Sequence, residues 1–295
     1  MRYFFFSLCI FSLTSGGLCQ PLSGEWNDSS GEDHAGKMET AVFQTPQWGR
    51  EIVRVYRPPG YDDSPNARYP ALYVLDGQNV FQNGGDENNK RDWQFDEVVD
   101  EMITGGELRP LLVVTVDHPQ DRSGAYTARR IWRPESHGVP AHEEGGQADD
   151  YVGFLDRVRQ TVDQRYRTNG DNGLLGSSLG GVFALHVGLT PGAGFNRVAA
   201  MSPSLWWYGR PGIGELFPKL PQQGPQRLWL DMGEAEEAPP SADIDVELAR
   251  STAEWLNHRL ADTTRVGFDS FRGHTHSEKY WHERLPQVLM FLYEN

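Results

Sequence analysis

The chain has 295 residues, 38% of them hydrophobic, with 27 Lys and Arg against 41 Asp and Glu, a formal net charge of −14. A surface that acidic repels nucleic acid and anionic lipid head groups, so neither is expected as a partner. The 2 cysteines, Cys9 and Cys19, both lie near the start, so no disulfide framework is expected and stability must come from a core.

The chain opens on Met1-Arg2, then an apolar run from Tyr3 to Leu13, then Thr14-Ser15-Gly16-Gly17-Leu18-Cys19. A charged start, an apolar stretch too short for a bilayer, and small residues at Gly17 and Cys19 read as a signal peptide over residues 1–19. The expected location is therefore secreted or periplasmic. No later apolar run approaches the roughly 20 residues of a membrane span. Residues 20–37, rich in Gly, Ser, Asp and Glu, are expected to form a flexible arm, and residues 38–295 a single domain.

Within that domain strands are predicted at residues 51–56, 71–75 and 111–116. Between the last two, Phe95, Val98, Val99, Met102 and Ile103 share one face of a helix over 95–103. Residues 151–166 repeat that spacing with Phe154, Leu155, Val158 and Val162. Then come a strand at 173–175, a helix over 179–189, strands at 197–201 and 227–232, a helix over 246–260, a strand at 266–271 and a helix over 284–293. Strand and helix alternating in this way predict an α/β fold, a mostly parallel sheet with helices on both faces.

Gly176-Ser177-Ser178-Leu179-Gly180-Gly181 stands between an apolar strand and an apolar helix. Gly176-x-Ser178-x-Gly180 fits a nucleophile elbow, in which side chains two before and two after the serine would collide across the turn. Ser177 has Leu175 and Leu179 at those places, so Ser178 is the candidate nucleophile. A serine hydroxyl needs a general base, itself oriented by a carboxylate. On such a sheet these partners lie in loops beyond the carboxyl ends of later strands. The loop after the last strand offers His274 and His276, and the loop after the strand at 227–232 offers Glu234, Glu236 and Glu237. An oxyanion hole requires two backbone N–H groups. Leu179 supplies one at its helix N-terminus; Gln78 supplies the other, where Gly77 lets the backbone approach a substrate.

The stretches Tyr73-Val74-Leu75-Asp76-Gly77-Gln78-Asn79-Val80-Phe81, Gly176 to Gly181, Met201-Ser202-Pro203-Ser204-Leu205-Trp206-Trp207 and Gly273 to Trp281 together resemble the esterase D-like α/β hydrolases, which include enterochelin esterases and feruloyl esterases. The resemblance runs from about residue 50 to the C-terminus. It implies an α/β-hydrolase fold and hydrolysis of a carboxylic ester with no metal or organic cofactor. It also implies His276 as the catalytic histidine, five residues before Trp281 and two before Glu278, which leaves His274 a loop or substrate-contact role. Glu236, three residues after Gly233, is implied as the acid. Relatives often carry an arginine followed by Glu-Tyr; here Arg122 is followed by Ala125-Tyr126, so the substrate contact expected at Arg122 differs from theirs.

Trp206 and Trp207 follow the strand after the elbow and are expected to wall a substrate pocket. Residues 121–150 are long for a connection and are expected to form a partial lid. His142-Glu143-Glu144 and residues 86–89 lack a metal-ligand spacing, so no metal site is expected there. The leading reading is a secreted or periplasmic serine carboxylesterase for a small-molecule ester of the siderophore or feruloyl class. The alternatives are an acyltransferase using the same serine and histidine and a non-catalytic relative that binds a ligand.

Overall fold

The structure is a computed structural model and describes residues 22–30, 35–81, 93–135, 140–208, 220–236, 241–260 and 262–294. The expected signal peptide lies outside the described residues. In chain order the elements are β1 (Trp26–Asp28), β2 (Lys37–Thr45), β3 (Gly49–Arg57), β4 (Tyr69–Leu75), α1 (Phe95–Thr104), β5 (Leu112–Val116), α2 (Arg122–Tyr126), β6 (Arg130–Arg133), β7 (His142–Gly145), α3 (Ala148–Arg165), β8 (Thr168–Ser177), α4 (Leu179–Gly188), β9 (Arg197–Met201), β10 (Arg227–Gly233), α5 (Ser241–Leu260), β11 (Arg265–Phe271) and α6 (Glu278–Tyr293).

Nine strands form one sheet in the order β1-β2-β3-β5-β4-β8-β9-β10-β11, and β6 with β7 forms a separate hairpin. β1, β2, β3 and β5 pair antiparallel; every pairing from β5 through β11 is parallel. The central strands β4 and β5 are buried at every position, which is why they read as continuous apolar runs. On one face Phe154, Leu155 and Val158 of α3 and Phe183 of α4 pack on the sheet, continued by Leu256 and Leu260 of α5. On the other face Val98 and Val99 of α1 meet Leu285, Val288 and Leu289 of α6. Helix α4 buries seven of its ten residues and exposes none, so it is apolar nearly all round rather than amphipathic. Among the described residues no helix is long and apolar enough to cross a membrane.

Because β4, β5, β8, β9, β10 and β11 run parallel, their carboxyl ends all open on one edge of the sheet. The ladder continues just past those ends. Ser178 N–H donates to the Met201 carbonyl at 3.1 Å, Ser202 N–H to that of Asp231 at 3.1 Å, and Glu234 N–H to that of Phe271 at 2.9 Å. Loops that follow these strands are thus fixed against one another by backbone hydrogen bonds.

The structure corrects several expectations. Residues 22–30 are not a loose arm: β1 pairs with β2, the Trp26 ring meets Phe43 and Tyr166 edge-on at 6.0 and 5.6 Å, and Leu22 is buried in the core. Two large apolar side chains outweigh the polar composition around them. The described residues of 121–150, where a partial lid is expected, carry α2, the β6–β7 hairpin and the first turn of α3. Helix α6 begins at Glu278, six residues before its expected start, with Tyr280 and Trp281 N–H groups donating to the Ser277 carbonyl.

The turn between β8 and α4 is strained. Ser178 adopts φ 57° and ψ −126°, a conformation side chains rarely occupy. It is possible because Gly176 and Gly180 approach closely: a Cβ on Gly176 would collide with the Gly180 carbonyl group and lie 3.0 Å from Leu75. Gly176→Ala is therefore expected to cost about 3 kcal/mol of stability or more; a urea unfolding midpoint equal to the parent's would contradict that close approach. A second expectation concerns Glu51 on β3. Its side chain is buried, Oε2 accepts from the Tyr151 hydroxyl at 3.5 Å, and burial together with the nearby Asp117 charge pushes its carboxyl up to about 8. The folded state then holds a proton that the unfolded chain releases, so stability falls as pH rises from 4.5 towards 8. Glu51→Gln should flatten that decline, as measured by urea unfolding at about pH 5 and about pH 8.5. An unchanged slope would mean that the carboxyl is ionised in the fold.

Candidate active site

Ser178 stands at the carboxyl end of β8 as the residue before α4. Its hydroxyl makes no cap to its own helix. Instead its Oγ lies 3.2 Å from the Oγ of Ser204, a buried residue whose N–H donates to the Ser178 carbonyl at 3.1 Å. Among the described residues the N–H groups of Leu179 and Gln78 have no hydrogen-bond partner, which leaves both available to an anion. The first is the free end of α4, where the helix dipole favours negative charge.

Gln78 belongs to a single 3-10 turn, Gly77–Asn79, after β4. Gly77 is required there, since a Cβ would lie 2.9 Å from both Thr115 Cβ and Asp117 Oδ1. The residue before it, Asp76, takes a left-handed conformation, φ 57° and ψ 45°. Three hydrogen bonds to two partners hold it. Arg122 Nε and Nη2 donate to its two carboxylate oxygens at 2.6 and 2.8 Å, and its own N–H donates to the Tyr126 hydroxyl at 3.3 Å. The Gln78 side chain accepts from His118 N–H at 3.3 Å. Arg122 thus spends two of its nitrogens on the turn that presents Gln78, with the guanidinium also 5.1 Å from the Tyr126 ring.

On the other side of Ser178, His276 Nδ1 lies 2.8 Å from Glu236 Oε2. The carboxylate accepts, so Nδ1 carries a proton, and in the neutral ring Nε2 keeps its lone pair. The ring stands edge-on to Trp281 at 5.0 Å. Glu236 follows β10, and its Oε1 accepts from Gly233 N–H at 2.8 Å and from the Ser202 hydroxyl. Burial alone would raise this carboxyl; the His276 hydrogen bond and charge, with the Ser202 and Gly233 donors, hold it below the usual carboxylate value. Of the other two carboxylates considered, Glu234 is exposed and accepts from the Ser270 hydroxyl at 2.8 Å, and Glu237 lies outside the described residues.

His276 and Ser178 are not hydrogen-bonded to each other in this structure. What joins their surroundings is the three-residue segment Ser202-Pro203-Ser204 after β9, whose first serine bonds Glu236 and whose last bonds Ser178. Catalytic hydrogen bonds commonly tighten only with substrate bound. His274 is oriented elsewhere: Nδ1 accepts from Arg284 Nε at 3.2 Å, and its ring stacks on Tyr280 at 4.5 Å and on Phe271 at 5.3 Å. Burial first and the Arg284 charge second lower its basicity. The two tryptophans divide. Trp206 is 45% exposed, whereas Trp207 is buried beneath Arg133, whose guanidinium stands 4.0 Å from the ring centre. Arg133 lies in the hairpin and donates to Glu144 of β7 at 2.9 Å, so the expected lid segment packs against the loop after β9.

Ser202, Ser204, Asp76, Tyr126 and Arg284 were not singled out by the sequence reading of roles. Ser202, Ser204 and Asp76 do fall in the motif stretches quoted above, at the carboxyl ends of strands. Tyr126 and Arg284 lie inside helices, where nothing local separates them from packing residues. Among the described residues no group of three or more His, Cys, Asp or Glu is placed to hold a metal.

The family model described as "Putative esterase" matches residues 46–292. A siderophore enterobactin esterase of Emericella nidulans is 38% identical over 77 residues, 25% of each chain. The solved structure of the siderophore hydrolase EstA from Aspergillus nidulans superposes with a TM-score of 0.67 at 21% identity, covering 86% of this chain and 93% of that one. A ferulic acid esterase superposes with a TM-score of 0.58 at 16% identity, covering 88% and 97%. The family match takes in the Gly77–Asn79 turn, the elbow, the segment after β9 and the His276 loop alike, and on that ground the chain belongs to the "Putative esterase" family, with the α/β-hydrolase fold of its structural neighbours.

Proposed function

We propose that the protein is a serine carboxylesterase working through an acyl-enzyme, with Ser178 as nucleophile, His276 as general base and Glu236 as the acid that orients it. The observation that carries this reading is the Ser202-Pro203-Ser204 segment, which binds the carboxylate of the histidine–glutamate pair at one end and the strained Ser178 at the other. His276 Nε2 takes the Ser178 proton as Oγ attacks the ester carbonyl. The carbonyl oxygen becomes an anion and is met by the N–H groups of Leu179 and Gln78. The imidazolium so formed faces the Glu236 carboxylate, then passes its proton to the departing alcohol. Water, activated by the same imidazole, attacks the acyl-serine and releases the acid.

The substrate class we favour is an ester of an aromatic acyl group, of the siderophore or feruloyl kind. Trp206, exposed beside the buried Trp207, offers such a ring a stacking surface at the carboxyl edge of the sheet. The relatives named for siderophore and ferulate esters support that class by analogy. The signal-like residues 1–19 support action outside the cytoplasm.

The test is hydrolysis of a panel by the purified protein: p-nitrophenyl butyrate, methyl ferulate and a ferric catecholate trilactone. Ser178→Ala is expected to lower kcat/KM by about 10³-fold or more with the fold intact by circular dichroism, and Glu236→Gln by about 10²- to 10⁴-fold, since an amide cannot stabilise the imidazolium. Parent-like turnover in Ser178→Ala would refute the assignment. Parent-like turnover in Glu236→Gln alone would leave a serine–histidine pair without an acid.

A further inference from the structure

Resting on the serine mechanism above, we propose that Ser202 and Arg284 are positioning residues for Glu236: they hold one carboxylate oxygen so that the other faces His276, and they fix the charge of the cluster behind the base. Neither side chain touches a reacting atom in the scheme; both act through Glu236.

Arg284, from the second turn of α6, is 0% exposed at its side chain. Its Nη1 donates to Asp231 Oδ1 at 2.8 Å and to Ser202 Oγ at 2.9 Å, its Nε donates to His274 at 3.2 Å, and its Nη2 lies 3.6 Å from Glu236 Oε1. Ser202 Oγ also accepts from Trp281 Nε1 at 3.1 Å. A hydroxyl oxygen has two lone pairs and one proton. Trp281 and Arg284 fill both lone pairs, so the proton has one direction left, and Glu236 Oε1 lies along it. Ser202 holds this place at φ 43°, a backbone conformation unfavourable for a serine. Such strain persists where surrounding contacts over-determine it, and here the contacts converge on the hydroxyl.

The charges make the arrangement specific. Asp231, on β10, is buried and accepts from Trp229 Nε1 at 2.9 Å, from Ser202 N–H at 3.2 Å and from Arg284. It takes the direct ion pair with the guanidinium, so Glu236 keeps its charge for His276 and is tied to Arg284 chiefly through the Ser202 hydroxyl. With both carboxylates ionised the cluster carries one net negative charge at rest and none once the imidazolium forms. The charged groups paired with Glu236 are His276 and Arg284, and Arg284 also meets Asp231 of β10 and His274 of the loop before α6. His274 is in turn met by Glu283 and Lys279 of α6.

The test measures the second-order rate of labelling by an alkyl fluorophosphonate against pH, for the parent, Ser178→Ala, Ser202→Ala, Ser202→Gly, Arg284→Lys and Arg284→Met, with thermal unfolding of each. Ser202→Gly relieves the backbone strain but lacks the hydroxyl, so it separates the two roles. Both Ser202 variants are expected to label about 10- to 100-fold more slowly, the loss of one hydrogen bond to a charged group. Arg284→Met should shift the acidic limb of the pH profile to higher pH, because the Glu236 carboxylate loses the positive charge 3.6 Å from it and so favours the imidazolium; Arg284→Lys should restore part of the parent profile. Ser202→Ala and Ser202→Gly labelling at the parent rate, with the parent profile, would overturn the inference while Ser178→Ala stays unlabelled. If the parent is not labelled, or Ser178→Ala labels like the parent, the serine mechanism falls and the inference with it. Should the Arg284 variants not fold, the Ser202 pair decides.

Discussion

One oxygen of Glu236 is turned to His276 and the other to Ser202, and the carboxyl ends of β9, β10 and β11 are arranged around that carboxylate. An ionised group so poorly exposed is tolerable only when each oxygen is paired. The pairing comes from three places far apart in the chain: a turn donor at Gly233, a hydroxyl after β9 and a histidine after β11. Parallel strands in register bring these three together, which ties the fold directly to the chemistry. Moving one strand by one residue would leave a buried charge unpaired.

The opposite wall of the site depends on a second buried pair. Asp76 and Arg122 are joined by two hydrogen bonds, with side-chain exposures of 10% and 27%. A surface pair such as Lys37 with Asp62 contributes about 0–1 kcal/mol. Breaking a buried bidentate pair by removing one partner commonly costs about 3–5 kcal/mol. Asp76 also needs its partners to keep a left-handed backbone, and that backbone sets the direction of the Gly77–Gln78 turn. Arg122 therefore governs where the Gln78 N–H, the second oxyanion donor of the proposed mechanism, points.

The sheet was legible because parallel strands covered on both faces must be apolar throughout, as at residues 71–75 and 111–116. The strained elbow at Ser178 was legible because a Cβ at Gly176 would collide with Gly180 across the turn, a constraint written into the local string. Other features left no such mark. The hydroxyl of Ser202 acquires its role from Arg284 and Trp281, 82 and 79 residues away, and no local pattern records a contact at that separation. β1 was hidden by polar neighbours that hydrate freely while Leu22 is buried and Trp26 half-buried. The start of α6 was hidden because Gly273 to Ser277 reads as loop and the helical apolar spacing begins only at Trp281. The choice of Glu236 among neighbouring carboxylates came from resemblance, and the hydrogen bond to His276 is the geometry that accords with it.

In the proposed mechanism Ser178, and no neighbouring group, is the nucleophile. The most direct measurement is mass-spectrometric mapping of the site modified by an alkyl fluorophosphonate on the purified protein. One phosphonyl adduct is expected of this mechanism, on the peptide that contains the elbow and at Ser178. An adduct at Ser177 or elsewhere, or none on folded protein, would contradict it.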